Sequence, residues 1–277
     1  MKLTYVTDCH LDHVNEDVFS NFMQQLSLQD TSALVVSGDI SVANKLVLHL
    51  SLIEGAIRRP VYFVCGNHDF WGSNVDALRK NLTDLSNMSQ YIKYLSSTPY
   101  VQLSSSTALV GHDGWYDCRY GDARRSQMVL ADWAYIQDFN PRGVVKTVLF
   151  TGGCDKSHVI STSQKLAHEA AEHVALGIKA ALRYCNKIII VTHVPPFQEA
   201  HIYRNQPASN EALPFYTNKI MGDVILSAAT ANPSVAFTVL CGHTHEQYFT
   251  KIRGNLAVHV GGAEYGAPAI AGTIEVS

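Results

Sequence analysis

Short, uninterrupted apolar runs alternate along the chain with longer segments that carry apolar residues at helical spacing. Residues 3–7, 33–37 and 61–65 are continuous apolar runs of strand length, the pattern of strands covered on both faces. Between them, residues 16–28 place Val18, Phe19, Phe22, Met23 and Leu26 on one helical face. Residues 43–57 predict an apolar helix that Arg58-Arg59-Pro60 ends. A βαβαβ order of buried strands implies a parallel sheet with right-handed crossovers. Further on, residues 74–85 predict a helix, and 100–103 with 107–111 predict a pair of strands. An amphipathic helix over 164–184 leads into a strand at 187–191, followed by a loop over 195–212, a helix at 220–229 and a strand at 236–241. The tail alternates more, and 256–260 and 273–276 predict antiparallel strands. Two stretches break the pattern, at about 115–163, apart from a helix near 125–136, and at about 197–216. They read as irregular insertions near a site, within one domain spanning 1–277.

The polar residues that end the apolar runs change the picture. They are Asp8-Cys9-His10, Gly38-Asp39, Gly66-Asn67-His68-Asp69, Thr192-His193 and Gly242-His243-Thr244-His245, with Gly111-His112-Asp113 as an auxiliary. One strand tip with a polar residue arises by chance; several rich in His, Asp and Asn predict one site along the carboxyl edge of a sheet. Such donors suit borderline first-row ions, and the lack of Cys ligands argues against a structural zinc. Two adjacent ions need an anionic ligand between them, and Asp39, on a tight turn after a buried strand, is the natural bridge.

Composition narrows the class. A chain of 277 residues, 47% hydrophobic and 16% charged, suits a globular protein with a sizeable core. A formal charge of −3 gives no general electrostatic case for nucleic acid. The six Cys are scattered without a Cys-x-x-Cys pair and read as reduced core residues. A strand begins at the N-terminus and no apolar stretch reaches the length of a membrane span, so a cytoplasmic protein is expected.

Taken in order, Asp8-x-His10, Gly38-Asp39, Gly66-Asn67-His68-Asp69, Thr192-His193 and Gly242-His243-Thr244-His245 resemble the five motifs of the calcineurin-like metallophosphoesterases. The resemblance implies a four-layer α/β/β/α sandwich of two facing mixed sheets with a binuclear metal site at strand ends. It implies that Asp8, His10, Asp39 and His245 hold one ion and that Asp39, Asn67, His193 and His243 hold the other. The ions would be Mn, Fe, Zn or Ni. By the same resemblance, a metal-bridging hydroxide attacks the phosphorus of a mono- or diester while His68 assists the leaving group.

Departures from the pattern refine the subclass. Phosphoprotein phosphatases of this superfamily continue the second motif as Asp-Arg-Gly and the third as Gly-Asn-His-Glu; here Ile40-Ser41-Val42 and Asp69 stand there. Purple acid phosphatases place a Tyr ligand where this chain has Val42. The chain looks like the bacterial phosphodiesterase-like branch, acting on a small-molecule or nucleotide phosphate ester. A nuclease, a phosphoprotein phosphatase and a non-catalytic metal-binding scaffold for protein partners are the alternatives. Val42 also leaves the group that orients His68 open, with Asp69 and Asp113 as candidates, and Asp69 is expected to join His68 in catalysis. Asp113, Tyr116, Arg119 and Arg124 are candidates for substrate contact, against the plainer reading of a turn and a solvated basic face. His201, Tyr203 and Arg204 are expected to form a pocket wall, and His168 and His173 to lie on the surface.

Overall fold

Each covered strand divides its side chains between two faces by alternation. Leu3, Tyr5, Ala33 and Val35 pack with Ile189, Val191 and Leu240 in a layer between two sheets. Their neighbours Val6, Leu34 and Val36 pack with Phe22, Leu46 and Leu50 on the opposite side. The computed structural model describes residues 1–141 and 156–276. Its strands are Lys2–Val6 (β1), Ala33–Ser37 (β2), Val61–Val64 (β3), Ile92–Tyr94 (β4), Val101–Gln102 (β5), Thr107–Gly111 (β6) and Lys187–Val191 (β7). They continue with Ile202–Tyr203 (β8), Gln206–Pro207 (β9), Ala236–Cys241 (β10), Tyr248–Arg253 (β11), Leu256–Val260 (β12) and Gly272–Glu275 (β13).

One sheet runs β13-β1-β2-β3-β4 and the other β11-β12-β10-β7-β6-β5. In the first, β1 to β4 are parallel and β13 is antiparallel at the edge; in the second, β6, β7, β10 and β12 are parallel. Glu16–Ser27 (α1), Ala43–Ile57 (α2) and Val75–Met88 (α3) supply core residues on the outer face of the first sheet. Helices Lys156–Ala181 and Lys219–Ala231 cover the second. This is the expected α/β/β/α order with two mixed sheets.

The differences from expectation are local. The tail strands do not pair with each other: β12 lies parallel to β10 and antiparallel to β11, and β13 closes the other sheet. Both β4 and β11 lack a clear sequence signal, because one is three residues long and the other is largely exposed. The expected helix near 125–136 shrinks to Asp132–Tyr135, and the loop after β7 contains the hairpin β8-β9. Residues 142–155 of the first insertion, with Cys154, lie outside the described residues. No helix among the described residues is long and apolar enough to cross a membrane.

The sheets are tied together at the ends that carry the motifs. Tyr5 donates its hydroxyl to Cys241 O, and His193 Nδ1 lies 2.8 Å from Ser37 O. The Asp113 carboxylate accepts from Cys65 N at 2.8 Å, Ser96 Oγ at 2.8 Å, Tyr94 Oη at 2.6 Å and Arg79 Nε at 3.0 Å. Asp113 thus joins the end of β3 to the end of β6, with both oxygens engaged. The structure places it in the seam between the sheets, where Arg79 holds its carboxyl below the usual range against the opposing effect of burial. Removing it leaves the Arg79 guanidinium largely buried without its main counter-charge. Asp113→Ala is predicted to cost about 3–5 kcal/mol of stability in urea unfolding, whereas Arg124→Ala on the surface should stay within about 0.5 kcal/mol.

Candidate metal centre

Five of the chosen side chains sit where the backbone reverses tightly. Asp8, His10, Asp39, His243 and His245 have φ of 47°, 40°, 50°, 70° and 60°, in the left-handed region that most residues avoid. Held strain of this kind, about 1–3 kcal/mol per residue, gathers at functional sites and persists where the surroundings over-determine it. Here they do. Asp8 N donates to Gly38 O and His10 N to Asp39 O, both at 3.0 Å, and His68 N donates to Asp39 Oδ1 at 2.8 Å. Across the seam, His243 N lies 3.1 Å from both oxygens of Asp8. Two glycines permit this crowding: a Cβ on Gly66 would collide with the Asp39 carboxylate, and one on Gly242 with that of Asp8.

The tips bring their donors together. One ligand atom from each of Asp8, His10, Asp39 and His245 lies within 4.8 Å of the others. His10 Nε2 is 3.2 Å from His245 Nε2 and 3.7 Å from Asp39 Oδ2, and His245 Nε2 is 3.3 Å from Asp8 Oδ1. A second group meets the first at Asp39. His193 Nε2 is 3.1 Å from Asn67 Oδ1, 3.4 Å from Asp39 Oδ2 and 4.0 Å from Asp8 Oδ1, and its ring centroid is 5.0 Å from that of His243.

The donors fit borderline divalent ions. Carboxylate and imidazole atoms converge while Cys9 stays buried, its thiol pushed up by burial and its Sγ resting against Thr7 O at 3.9 Å. The bond from His193 Nδ1 to Ser37 O fixes the ring so that Nε2 faces the cluster. Burial pushes His10 down to about 4 and His243 down to about 3, so both rings are neutral at pH 7 with a lone pair to donate. His193 behaves differently. Burial opposes its charge, but Asp39 and Asp8 outweigh burial and raise it to about 10. A buried pair of carboxylates demands positive charge, and in the metal-free protein a proton on His193 supplies part of it.

His68 and Asn67 line the open side of this cluster. The His68 ring stacks on Trp71 with centroids 3.7 Å apart and planes at 24°, and its Nε2 is 4.0 Å from Asp39 Oδ2. Asp69 lies behind it, fully buried. Its oxygens accept from Ile40 N at 2.9 Å, Ser41 N at 2.8 Å and Gly66 N at 2.8 Å, so it clamps the second motif to the third instead of reaching His68. A cavity of about 810 Å³ opens above, floored by Asp39, Asn67, His68, His243 and His245 and walled by His201, Tyr203, Arg204, Tyr216 and Tyr265.

The expected wall of His201, Tyr203 and Arg204 therefore lies at the cavity. The expected substrate contacts do not. Tyr116 is fully buried and accepts from Trp133 Nε1 at 3.0 Å, Arg119 pairs with Asp117 at 3.5 Å, and Arg124 is exposed; with Asp113 they stand outside the lining. His168 is exposed as expected, but His173 packs its ring 5.1 Å from that of the buried His112. Tyr265 was not legible in the sequence. Its ring is 4.3 Å from His10 and 5.1 Å from His245, carried there by a tail segment with no motif of its own.

The sequence model of the family described as calcineurin-like phosphoesterase matches residues 1–247. A UDP-2,3-diacylglucosamine hydrolase of Shewanella halifaxensis is 30% identical over 94 residues, which span 30% of this chain and 40% of that protein. The phosphopantetheinyl hydrolase of Mycobacterium tuberculosis superposes with a TM-score of 0.60 at 17% identity, over 96% of this chain and 90% of that one. A dimetal phosphatase of Danio rerio gives 0.56 at 13% identity, over 95% and 87%. At these identities the two structures show a shared fold.

The charge balance yields a prediction. At pH 7.5, below the value of about 10 for His193, that ring carries its proton in the metal-free protein. Mn²⁺ binding requires the neutral ring, so calorimetric titration in buffers of different ionisation enthalpy should report release of about one proton per site that includes His193. Uptake of metal without proton release would contradict the assignment.

Proposed function

Since this chain belongs to the calcineurin-like phosphoesterases, metal-dependent hydrolases of phosphate esters, we propose that it hydrolyses a small-molecule or nucleotide phosphate mono- or diester in the cavity above Asp39. The observation that carries the reading is the shared position of one carboxylate oxygen: Asp39 Oδ2 is 3.7 Å from His10 Nε2 and 3.4 Å from His193 Nε2. Asp39 would therefore serve two ions, one held with Asp8, His10 and His245 and the other with Asn67, His193 and His243. Bound there, the ions supply Lewis-acid charge against phosphate oxygens and a lowered pKa for water.

The chain's own groups supply the rest. His68 faces the cavity with its ring plane held by Trp71, and it is placed to give a proton to the departing alkoxide. Tyr216 and Tyr265 offer flat apolar walls to the alcohol portion of the ester. Arg204 is the one Lys or Arg among the described residues that line the cavity, and it suits an anionic part of the substrate. A cavity of about 810 Å³ admits a nucleotide-sized molecule. A formal charge of −3 favours a small ester over a nucleic-acid chain.

With Mn²⁺ and a chromogenic phosphodiester, metal-dependent turnover is expected, and a panel of nucleotides, cyclic nucleotides, phosphoproteins and phospholipid precursors would then rank substrates. His68→Ala should lower kcat about 10²–10⁴-fold with metal content unchanged. Loss of metal in that variant would place His68 among the ligands, and absence of turnover on every ester would favour a scaffold.

A further inference from the structure

We propose that Asp132 is a positioning residue that sets the Asn67 amide for metal binding and, through Trp71, the plane of the His68 ring. The inference rests on the metal-centre reading above and adds a residue from outside its five motifs. Asp132 opens the short helix Asp132–Tyr135 and is 1% exposed. Its Oδ1 accepts from Asn67 Nδ2 at 2.8 Å and from Trp71 Nε1 at 2.8 Å.

The first bond settles which way the Asn67 amide points. An Asn side chain has a donor end and an acceptor end of nearly equal size, and only the oxygen can serve a cation. An Asp132 oxygen that already accepts the Trp71 indole N–H offers the Asn67 amide an acceptor alone, so it selects the NH₂ end. The carbonyl Oδ1 then turns the other way, and it lies 3.1 Å from His193 Nε2 in the donor cluster. Asp132 thus does for Asn67 what the Ser37 carbonyl does for His193.

The second bond sets the plate under His68. Trp71 holds the His68 ring at 3.7 Å and 24°, and its indole also packs against Tyr135 at 5.2 Å, on the same short helix as Asp132. Gly72 N donates to Tyr135 O at 2.9 Å, which docks the helix onto the loop that follows the third motif. Among the described residues no acid bonds the Nδ1 side of the imidazole, and Asp39 Oδ2 lies 4.0 Å from Nε2. His68 Nδ1 has no hydrogen-bond partner among the described residues, Asp69 is engaged by three backbone amides, and Asp113 lies in the seam. One buried oxygen therefore registers a metal-facing amide and a proton donor against each other.

The test compares Asp132→Ala with Asp132→Asn, since Asn keeps a carbonyl acceptor at this position. Mn²⁺ affinity and stoichiometry are measured by calorimetry on metal-free protein, alongside kcat and urea unfolding. Asp132→Ala should weaken Mn²⁺ binding about 10–100-fold and lower kcat, and Asp132→Asn should restore both to within about threefold of wild type. Wild-type Mn²⁺ affinity in Asp132→Ala overturns the proposal, and so does an equal loss in both variants. A wild type that takes up no Mn²⁺ overturns the metal-centre reading and this role with it, which separates the two failures. Should Asp132→Ala not fold, the side-chain amide signals of Asn67 in the wild type decide by NMR. One proton protected from exchange supports the bond to Asp132, and two freely exchanging protons overturn it.

Discussion

Two carboxylates, Asp8 and Asp39, are buried at the edge where two sheets meet, and the local structure is arranged to tolerate them. Burial opposes their charge, yet both are held below the ordinary carboxylate range, chiefly by His193. Backbone amides of His68 and His243 point at them, and Gly66 and Gly242 give them room. Buried anions of this kind are tenable when hydrogen-bonded and matched by positive charge. Cross-sheet ties from Tyr5, His193 and Asp113 keep the two edges in register, so the site and the seam are one construction.

This arrangement explains what could be read from the residues and what could not. The covered strands and the polar tips that end them are local patterns, and they point to the sheet edge without knowledge of long-range contacts. That is why Asp8, His10, Asp39, Asn67, His193, His243 and His245 all fall at one place. Asp113 follows a strand in the same way, but its side chain turns into the seam, and only the approach of Arg79, Tyr94, Ser96 and Cys65 from three other segments shows this. Asp69 shares a motif with His68 and faces the opposite way, because a tight turn splits neighbours between the cavity and the backbone behind it.

The residues missed altogether belong to segments without period. Asp132 sits in the first irregular stretch and Tyr265 in the tail after β12, and neither carries a motif that links it to the tips. Their importance comes from closeness in space across long distance in sequence, with Asn67 and Asp132 65 positions apart. The strand-tip motifs assemble the donors, and the irregular stretches aim them and wall the cavity. Arg204 and Tyr203 fit this division. The carboxylate of Glu246, next to His245, accepts from Arg204 N at 2.5 Å and so ties that wall to the floor.

The central claim is that Asp39 stands between two ions. A crystal grown with Mn²⁺ and measured at the manganese absorption edge tests it directly. Two anomalous peaks about 3.5–4 Å apart, one on each side of the Asp39 carboxylate, are expected. One toward His10 and His245 and one toward Asn67 and His193 would support the account, whereas a single peak, or peaks away from Asp39, would contradict it.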